Sequence, residues 1–292
     1  MNQERIAARE DTVIATLTDQ GLIRVSGKDA ATFLHNLLTN DILQLPEGQA
    51  RFAGFCTAQG RLIATLTVWR NGDDFLLLVS ADILHNLLKK LSMFIFRSQV
   101  KLSEVSNRVL IGLSGSETSF PCVMPDEGQI LQWGERRLCV TPSVAESVIT
   151  VDCSVWAWLD IAAGRPRIVA ATQEMFIPQM VNMELPPLDG VSFKKGCYPG
   201  QEVIARTQYL GKVKRRMVRA KLDKELPAGT NVFTPESGEQ HCGALVNIAP
   251  SPEGGFECLV VVQVSGFEAG EVHVGAPNGP QLSFLPLPYP IQ

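Results

Sequence analysis

The sequence has no C-x-x-C pair, no paired histidines and no apolar run longer than a strand, and each absence removes a class of protein. Its seven cysteines, Cys56, Cys122, Cys139, Cys153, Cys197, Cys242 and Cys258, are odd in number and widely spaced, which argues against a disulfide framework. None of the four histidines, His35, His85, His241 and His273, stands near another at zinc-ligand spacing, so no stably bound metal is expected. The longest apolar stretches, Phe75–Val79 and Leu259–Val262, fall far short of the roughly 20 residues that a membrane span needs. The first ten residues mix both charge signs and lack the apolar core of a secretory signal; a cytoplasmic protein with no membrane partner is the expectation. With 26 basic and 30 acidic residues there is no strong whole-chain field to draw nucleic acid or an anionic bilayer. Phosphate-loop, dinucleotide-binding, zinc-protease and serine-hydrolase motifs are missing, as are a glycine period and a sustained heptad.

What is present is a globular composition, 45% hydrophobic and 19% charged over 292 residues. Thr12–Thr18 and Leu22–Val25 read as strands, and Ser26–Asp29 opens a helix with an apolar face of Ala30, Phe33, Leu34, Leu37 and Leu38. Strands are expected at Arg51–Cys56, Leu62–Trp69 and Phe75–Val79, the last pair joined by an Asn71-Gly72 turn. A helix over Asp82–Phe94 and a strand over Val100–Val105 complete a layered α+β region. The middle is mixed, with strands at Val109–Leu113, Leu138–Val140 and Val148–Val151 and a helix over Ser154–Ala163. Beyond Gly211, five short β-rich segments (Arg216–Leu222, Asn231–Thr234, Ala244–Ile248, Glu257–Val264 and Glu271–Val274) alternate with turn residues, as in a small barrel. The resulting division is 1–105, 106–209 and 210–292.

One segment, Ser192–Arg206 (SFKKGCYPGQEVIAR), concentrates chemistry. Gly196 and Gly200 flank Cys197, so the backbone can turn tightly there, and Pro199-Gly200 precedes a short helix from Gln201. Lys194 and Lys195 stand where ammonium groups favour a thiolate. A packed cysteine in an ordinary turn is the competing reading, because reactivity needs exposure as well as charge. Residues 194–221 hold nine bases (Lys194, Lys195, Arg206, Lys212, Lys214, Arg215, Arg216, Arg219 and Lys221) against the single acid Glu202, leaving 17 bases and 29 acids elsewhere. Such a strip faces an anion, RNA phosphate or a polycarboxylate, unless it is only a solvated strand face.

The run Lys195–Glu202 (KGCYPGQE) resembles the K-G-C-Y-x-G-Q-E signature of the YgfZ family, folate-binding proteins that support iron–sulfur cluster assembly and are related to the glycine-cleavage aminomethyltransferases. Phe176–Gln179, Gly190–Lys195 and Leu285–Tyr289 extend the resemblance, which runs from about residue 12 to the end. It implies an α+β, three-domain ring of the aminomethyltransferase (GcvT) type with a C-terminal β barrel and tetrahydrofolate, or a derivative, in a central channel. It also implies that Cys197 and Lys195 carry the thiol chemistry. Trp156, Gly196, Tyr198, Gly200, Gln201, Glu202 and Arg206 would then border the folate, Trp156 offering a flat apolar face.

Two departures qualify this. Where aminomethyltransferases carry G-G-x-I-D-D-L, this chain has Gly60–Leu66 (GRLIATL), so Ala64 and Thr65 replace the acids, and neither accepts a proton near neutral pH. A second family aromatic is replaced by Gln20. The expected function is a tetrahydrofolate-binding accessory factor for assembly or repair of iron–sulfur clusters in client enzymes, tRNA-modifying radical enzymes among them. Its partners would be folate and those clients or assembly proteins. Because one thiol cannot supply the four ligands usual for a cluster, Cys197 could at most share one. A folate-dependent one-carbon transferase or demethylase and an RNA-binding protein using the basic strip remain as alternatives. The strip lacks interleaved aromatics, so direct nucleic-acid binding is not expected.

Overall fold

Residues 12–115, 129–133, 136–144, 150–211 and 213–291 are described by a computed structural model of the chain. β1 (Thr12–Thr16) and β2 (Gln20–Ser26) precede α1 (Ala30–Leu37); β3 (Ala50–Cys56), β4 (Leu62–Asn71) and β5 (Asp74–Ser80) lead to α2 (Leu84–Ser92) and β6 (Lys101–Val105). The middle holds β7 (Val109–Gly115), β8 (Gln129–Trp133), β9 (Arg136–Thr141) and α3 (Cys153–Ala162). α4 (Gln201–Leu210) then introduces β10 (Arg215–Leu222), β11 (Asn231–Phe233), β12 (Gly243–Pro250), β13 (Phe256–Gln263), α5 (Val264–Ala269), β14 (His273–Val274) and β15 (Ser283–Leu285).

The first sheet, in order β3-β4-β5-β2-β6, is antiparallel throughout. The apolar stripe Ala30, Phe33, Leu34 and Leu37 lies against one face together with Leu84, Leu87 and Leu91 of α2. The other face presents Leu22, Trp69, Leu76 and Leu78 to a second cluster containing Val13, Leu138 and Trp156. Burial on both sides explains why β4 is apolar almost without alternation, buried from Leu62 through Trp69.

The second sheet runs β1-β7-β9-β8. β1 therefore leaves its sequence neighbours in 1–105 and pairs antiparallel with β7, Val13 opposite Ser114. Half of the expected strand Val148–Val151 lies outside the described residues; Val151 itself bridges Ala15. α3 is buried on two sides, Trp156 toward the second sheet and Ile161 toward the third, which is why its sequence is apolar nearly all round. Asp152 caps it by accepting a 2.8 Å hydrogen bond from the Ser154 amide, and that bond lowers the carboxyl's pKa.

The third sheet has six strands in the order β14-β11-β12-β13-β10-β15. Of the expected C-terminal β barrel an open half-barrel is seen: among the described residues no ladder joins the edge strands β14 and β15. Both edges are short, at two and three residues, leaving too few backbone groups to close a seam. No helix is long and apolar enough to cross a membrane among the described residues.

Candidate functional site at the cysteine turn

The signature turn is seated by buried polar residues on both sides. After α1 the chain turns into Thr39, Asn40 and Asp41. The Thr39 hydroxyl donates to the Gly190 carbonyl at 2.6 Å and accepts from the Gly54 amide at 2.7 Å. Asn40 donates from Nδ2 to the carbonyls of Asp189 and Phe52 at 2.5 and 2.8 Å. The stretch leading into the signature is thereby stitched to the end of α1 and to β3. On the far side Gln179, fully buried, donates to the Ile204 carbonyl of α4 at 2.7 Å.

Lys195 is the anchor. Its ammonium is buried and donates to the carbonyls of His35 and Leu38 at the C-terminal end of α1, the latter at 2.8 Å, with the Tyr198 ring 4.5 Å away. A cation suits this end of a helix, where carbonyls lack partners and the dipole is negative. Burial nevertheless depresses its pKa to about 8, against the opposing pull of Asp41 and Cys197. Of the two lysines expected to favour a thiolate, Lys194 is exposed, and Lys195 turns inward to hold the loop.

Gly200 caps α4 at φ +83, and a β-carbon there would fall 2.5 Å from the Thr57 carbonyl oxygen and 2.6 Å from the Gly60 α-carbon. Only glycine lets the signature turn meet the β3–β4 turn backbone to backbone. Gly196 is under no such constraint; the one atom within 4 Å of a β-carbon there is His35 Nε2, at 3.9 Å. Cys197 is exposed, while Cys56, Cys139, Cys242 and Cys258 are buried, and burial pushes the Cys139 thiol up to about 11. Tyr198 is buried, with its phenol raised by that burial, and Glu202 and Arg206 project to solvent from α4, with Gln201 half-buried.

Trp156 is not at this turn. It is 1% exposed, packed close to Gly112 with the Arg136 guanidinium 4.4 Å from its ring, in the core between the first and second sheets. The basic strip also resolves differently. Arg216 pairs with Glu184 at 2.5 Å, Arg219 with Glu257 and Lys221 with Glu253 at 2.5 Å, while Lys212 lies outside the described residues. Among the described residues, no ion pair joins Lys194, Arg206, Lys214 or Arg215 to an acid.

Two clefts adjoin the loop where the acids are missing. One, about 30 Å³, is lined by Gln20, Thr65, Asp160, Arg165 and Arg167, room for little more than a water. Thr65 is spoken for: its hydroxyl accepts from the Ile168 amide at 3.0 Å. Asn247 of β12 grips the same segment, accepting from the Arg167 amide at 2.9 Å and donating to its carbonyl at 2.8 Å, while the Arg167 guanidinium meets Asp19 at 2.5 Å. Tyr289 closes on it by donating to the Gly164 carbonyl at 2.6 Å. The other cleft, about 420 Å³, opens between the β3–β4 turn and the third sheet. Met175, Phe176, Met180, Ala244 and Val261 supply apolar wall, and Arg61, Arg215 and His241 supply positive or protonatable groups. Sequence reasoning missed Thr39, Asn40, His35 and Arg61; the signal was there in a polar Thr-Asn-Asp following an apolar helix stripe interrupted by one histidine.

Residues 1–119 match the model of the GCVT N-terminal domain. The chain is 30% identical to tRNA-modifying protein YgfZ of Escherichia fergusonii over 81% of this chain and 78% of that one. It is 29% identical to the protein of the same name from Serratia proteamaculans, covering 94% and 92% of the two chains. The crystal structure of glycine cleavage system aminomethyltransferase T from Bartonella henselae superposes with a TM-score of 0.76 at 18% identity, over 98% of this chain and 88% of that one, so the aminomethyltransferase fold is shared. The signature, its buried seating and these alignments together establish that the chain belongs to the YgfZ family.

Proposed function

We propose that this protein is a tetrahydrofolate-binding accessory factor for assembly or repair of iron–sulfur clusters in client enzymes, and that it acts on tRNA modification through those clients. The relatives' name, tRNA-modifying protein, supports the second half. The observation that carries the reading is an exposed thiol on a turn that packs at Gly200 against Gly60, whose neighbour Arg61 lines a ligand-sized cleft. Folate fits that cleft in kind: about 420 Å³ lies within the range of small-molecule sites, with an apolar wall for the pterin and benzoyl rings. Arg61 and Arg215 would hold the glutamate carboxylates. The bound folate would supply a one-carbon carrier beside the turn; the chain's own residues seat the rings and hold the thiol exposed. The first and third sheets, which both bond to the 164–168 segment, would belong to the ring expected of the fold, the half-barrel completing one wall.

The transferase alternative is weakened because Thr65 is committed to the Ile168 amide and Ala64 has no polar atom. The RNA alternative is weakened because three of the strip's cations are spent on Glu184, Glu257 and Glu253. The test is a deletion strain assayed for several iron–sulfur enzymes and complemented with the wild type, Cys197→Ala or Arg61→Ala/Arg215→Ala, with tetrahydrofolate binding measured on the purified proteins. Wild type alone should restore the enzymes, and the double arginine variant should lose folate affinity. Full complementation by Cys197→Ala, or unchanged folate binding by the arginine variant, would overturn the proposal.

A further inference from the structure

Eight large apolar side chains stand exposed among the described residues, and three of them share the ten residues of α4: Val203 at 40%, Tyr209 at 69% and Leu210 at 84%. Val203, Arg206 and Leu210, spaced i, i+3 and i+7, form one stripe along the helix. Ile204 is turned from that stripe and is the helix's one buried residue. The pattern is inverted for a surface helix, which ordinarily gives its apolar stripe to the core and its charges to water. Tyr209 is steadied without being covered, since the Phe193 ring meets it edge-on with centroids 5.9 Å apart. That contact also sets the segment carrying Lys194 against the last turn of α4.

Cations frame this apolar face. Arg206 stands within the stripe, exposed Lys194 adjoins Phe193, and exposed Lys214 follows Leu210 by four residues. None of the three forms an ion pair among the described residues, and Glu202 is the helix's single acid. Cys197 is exposed three residues ahead of the Gly200 cap, and at 1.5 Å per residue α4 reaches only about 14 Å from that end.

We infer that the exposed face of α4 docks a protein whose contacting surface is acidic around an apolar centre, and that docking sets this partner beside Cys197. The inference rests on the reading that Cys197 serves client or assembly proteins, and it adds where such a protein seats and what chemistry it presents. Val203, Tyr209 and Leu210 are the centre that loses water, and Lys194, Arg206 and Lys214 are the rim that meets carboxylates. Tyrosine and arginine are enriched among the side chains that anchor such interfaces. The same residues disfavour RNA: Tyr209 is the one exposed ring, and Val203 and Leu210 give a base nothing to stack on. They disfavour a second copy of the chain as well, because a two-fold contact would lay this cationic rim on itself.

The test replaces Tyr209 by p-benzoylphenylalanine in the full chain, so that light crosslinks whatever covers the face in living cells. Phe96, 87% exposed in the loop after α2, is the control position for the same probe. Mass spectrometry then identifies the crosslinked peptide. The expected adduct is with another protein, through a segment that is net acidic and carries an apolar residue. Adding Val203→Ser/Leu210→Ser or Arg206→Glu should cut its yield about fivefold, as truncating an anchor does. Thermal unfolding and the rate of Cys197 alkylation should stay those of the parent, because these side chains already face water. The control position should not give that adduct. Crosslinking to RNA or lipid alone, a peptide that is net basic or comes from a second copy, a yield unmoved by the substitutions, or no adduct at position 209 would overturn the inference. Crosslinking does not depend on rescue of the iron–sulfur enzymes, so full complementation by Cys197→Ala would sink the functional reading and leave the docking result standing.

Discussion

Adding one methyl group at Gly200 tests the seating of the cysteine turn. The residue lies in the left-handed region at φ +83, where an L-side chain costs about 1–2 kcal/mol. The added β-carbon would also sit 2.5–2.7 Å from Thr57 and Gly60 backbone atoms, when carbon–carbon contacts prefer about 3.5–4.0 Å. Nothing there is a flexible side chain end, so one turn must move by about 1 Å, an overpacking cost of about 1–3 kcal/mol. Alanine's smaller unfolded-state entropy returns about 0.4–1 kcal/mol, leaving a net loss of about 2–4 kcal/mol for Gly200→Ala. Two controls separate the causes. Gly72 has φ +63 with nothing within 4 Å of its β-position, so Gly72→Ala should show the conformational part alone, about 1 kcal/mol. Gly196→Ala meets only the edge of His35 and should stay within about 0.5 kcal/mol. Urea unfolding gives the energies, and the rate of Cys197 alkylation reports whether the turn itself has shifted. If Gly200→Ala and Gly72→Ala lose the same stability, the close approach of the two turns contributes nothing and the account of the seating is wrong.

Other outcomes follow from the same structure. Arg216→Met leaves the Glu184 carboxylate buried without its partner and should cost about 3–5 kcal/mol at neutral pH, whereas Glu184→Leu/Arg216→Met should recover most of it; chemical unfolding that shows no recovery would refute the pairing argument. Lys195 has a folded pKa near 8 against about 10.4 unfolded, so the unfolded chain binds more protons between those values and stability should rise with pH across that window; Lys195→Met, followed by thermal unfolding from pH 7 to 11, should lose that rise. Polyglutamylated tetrahydrofolate should bind several-fold more tightly than the monoglutamate at low salt, at about 0.2–1 kcal/mol per added exposed pair, and the advantage should shrink as salt rises; equal affinities by calorimetry would mean Arg61 and Arg215 do not face the tail. Thr65→Asp should restore no aminomethyl transfer, because the new carboxylate would be drawn to the Ile168 amide; turnover with little loss of stability would show a dormant transferase.

Local periodicity was enough for the elements whose partners are near in sequence. The stripe Ala30, Phe33, Leu34 and Leu37 marked α1, and Asn71-Gly72 marked the β4–β5 hairpin, because both signals concern residues a few positions apart. Pairings across distance were hidden. β1 reads like a partner for β2, yet it joins β7 about a hundred residues later, a choice made by the packing of Val13 and Ala15 against α3. β15 and α5 are too short to show a period, and β8 has only five residues. At the site, Gly200 was legible as a turn glycine, while the exposure of Cys197 was left open between a reactive and a packed thiol. The fates of Lys195, Arg216, Arg219 and Lys221 were not, since each is decided by an acceptor between 32 and 160 positions away. Trp156 shows the same limit: an aromatic on a short apolar helix looks identical whether its face meets a ligand or Gly112.

The segment from Gly164 to Ile168 is held by Asp19 ahead of the first sheet, by Thr65 within it, by Asn247 in the third sheet and by Tyr289 from the chain's last turn. None of these holders is a sequence neighbour, and each satisfies a backbone group or guanidinium that would otherwise be stranded away from water. Releasing the first or the third sheet therefore strips partners from a stretch of chain that the other still holds, and the penalty is shared rather than local. The three regions consequently cannot behave as beads on a string. They should melt together, and a fragment ending before Asn247 would leave the Arg167 amide and carbonyl with no side chain to receive them, so that the sheets already made would inherit the instability of the one not yet synthesised.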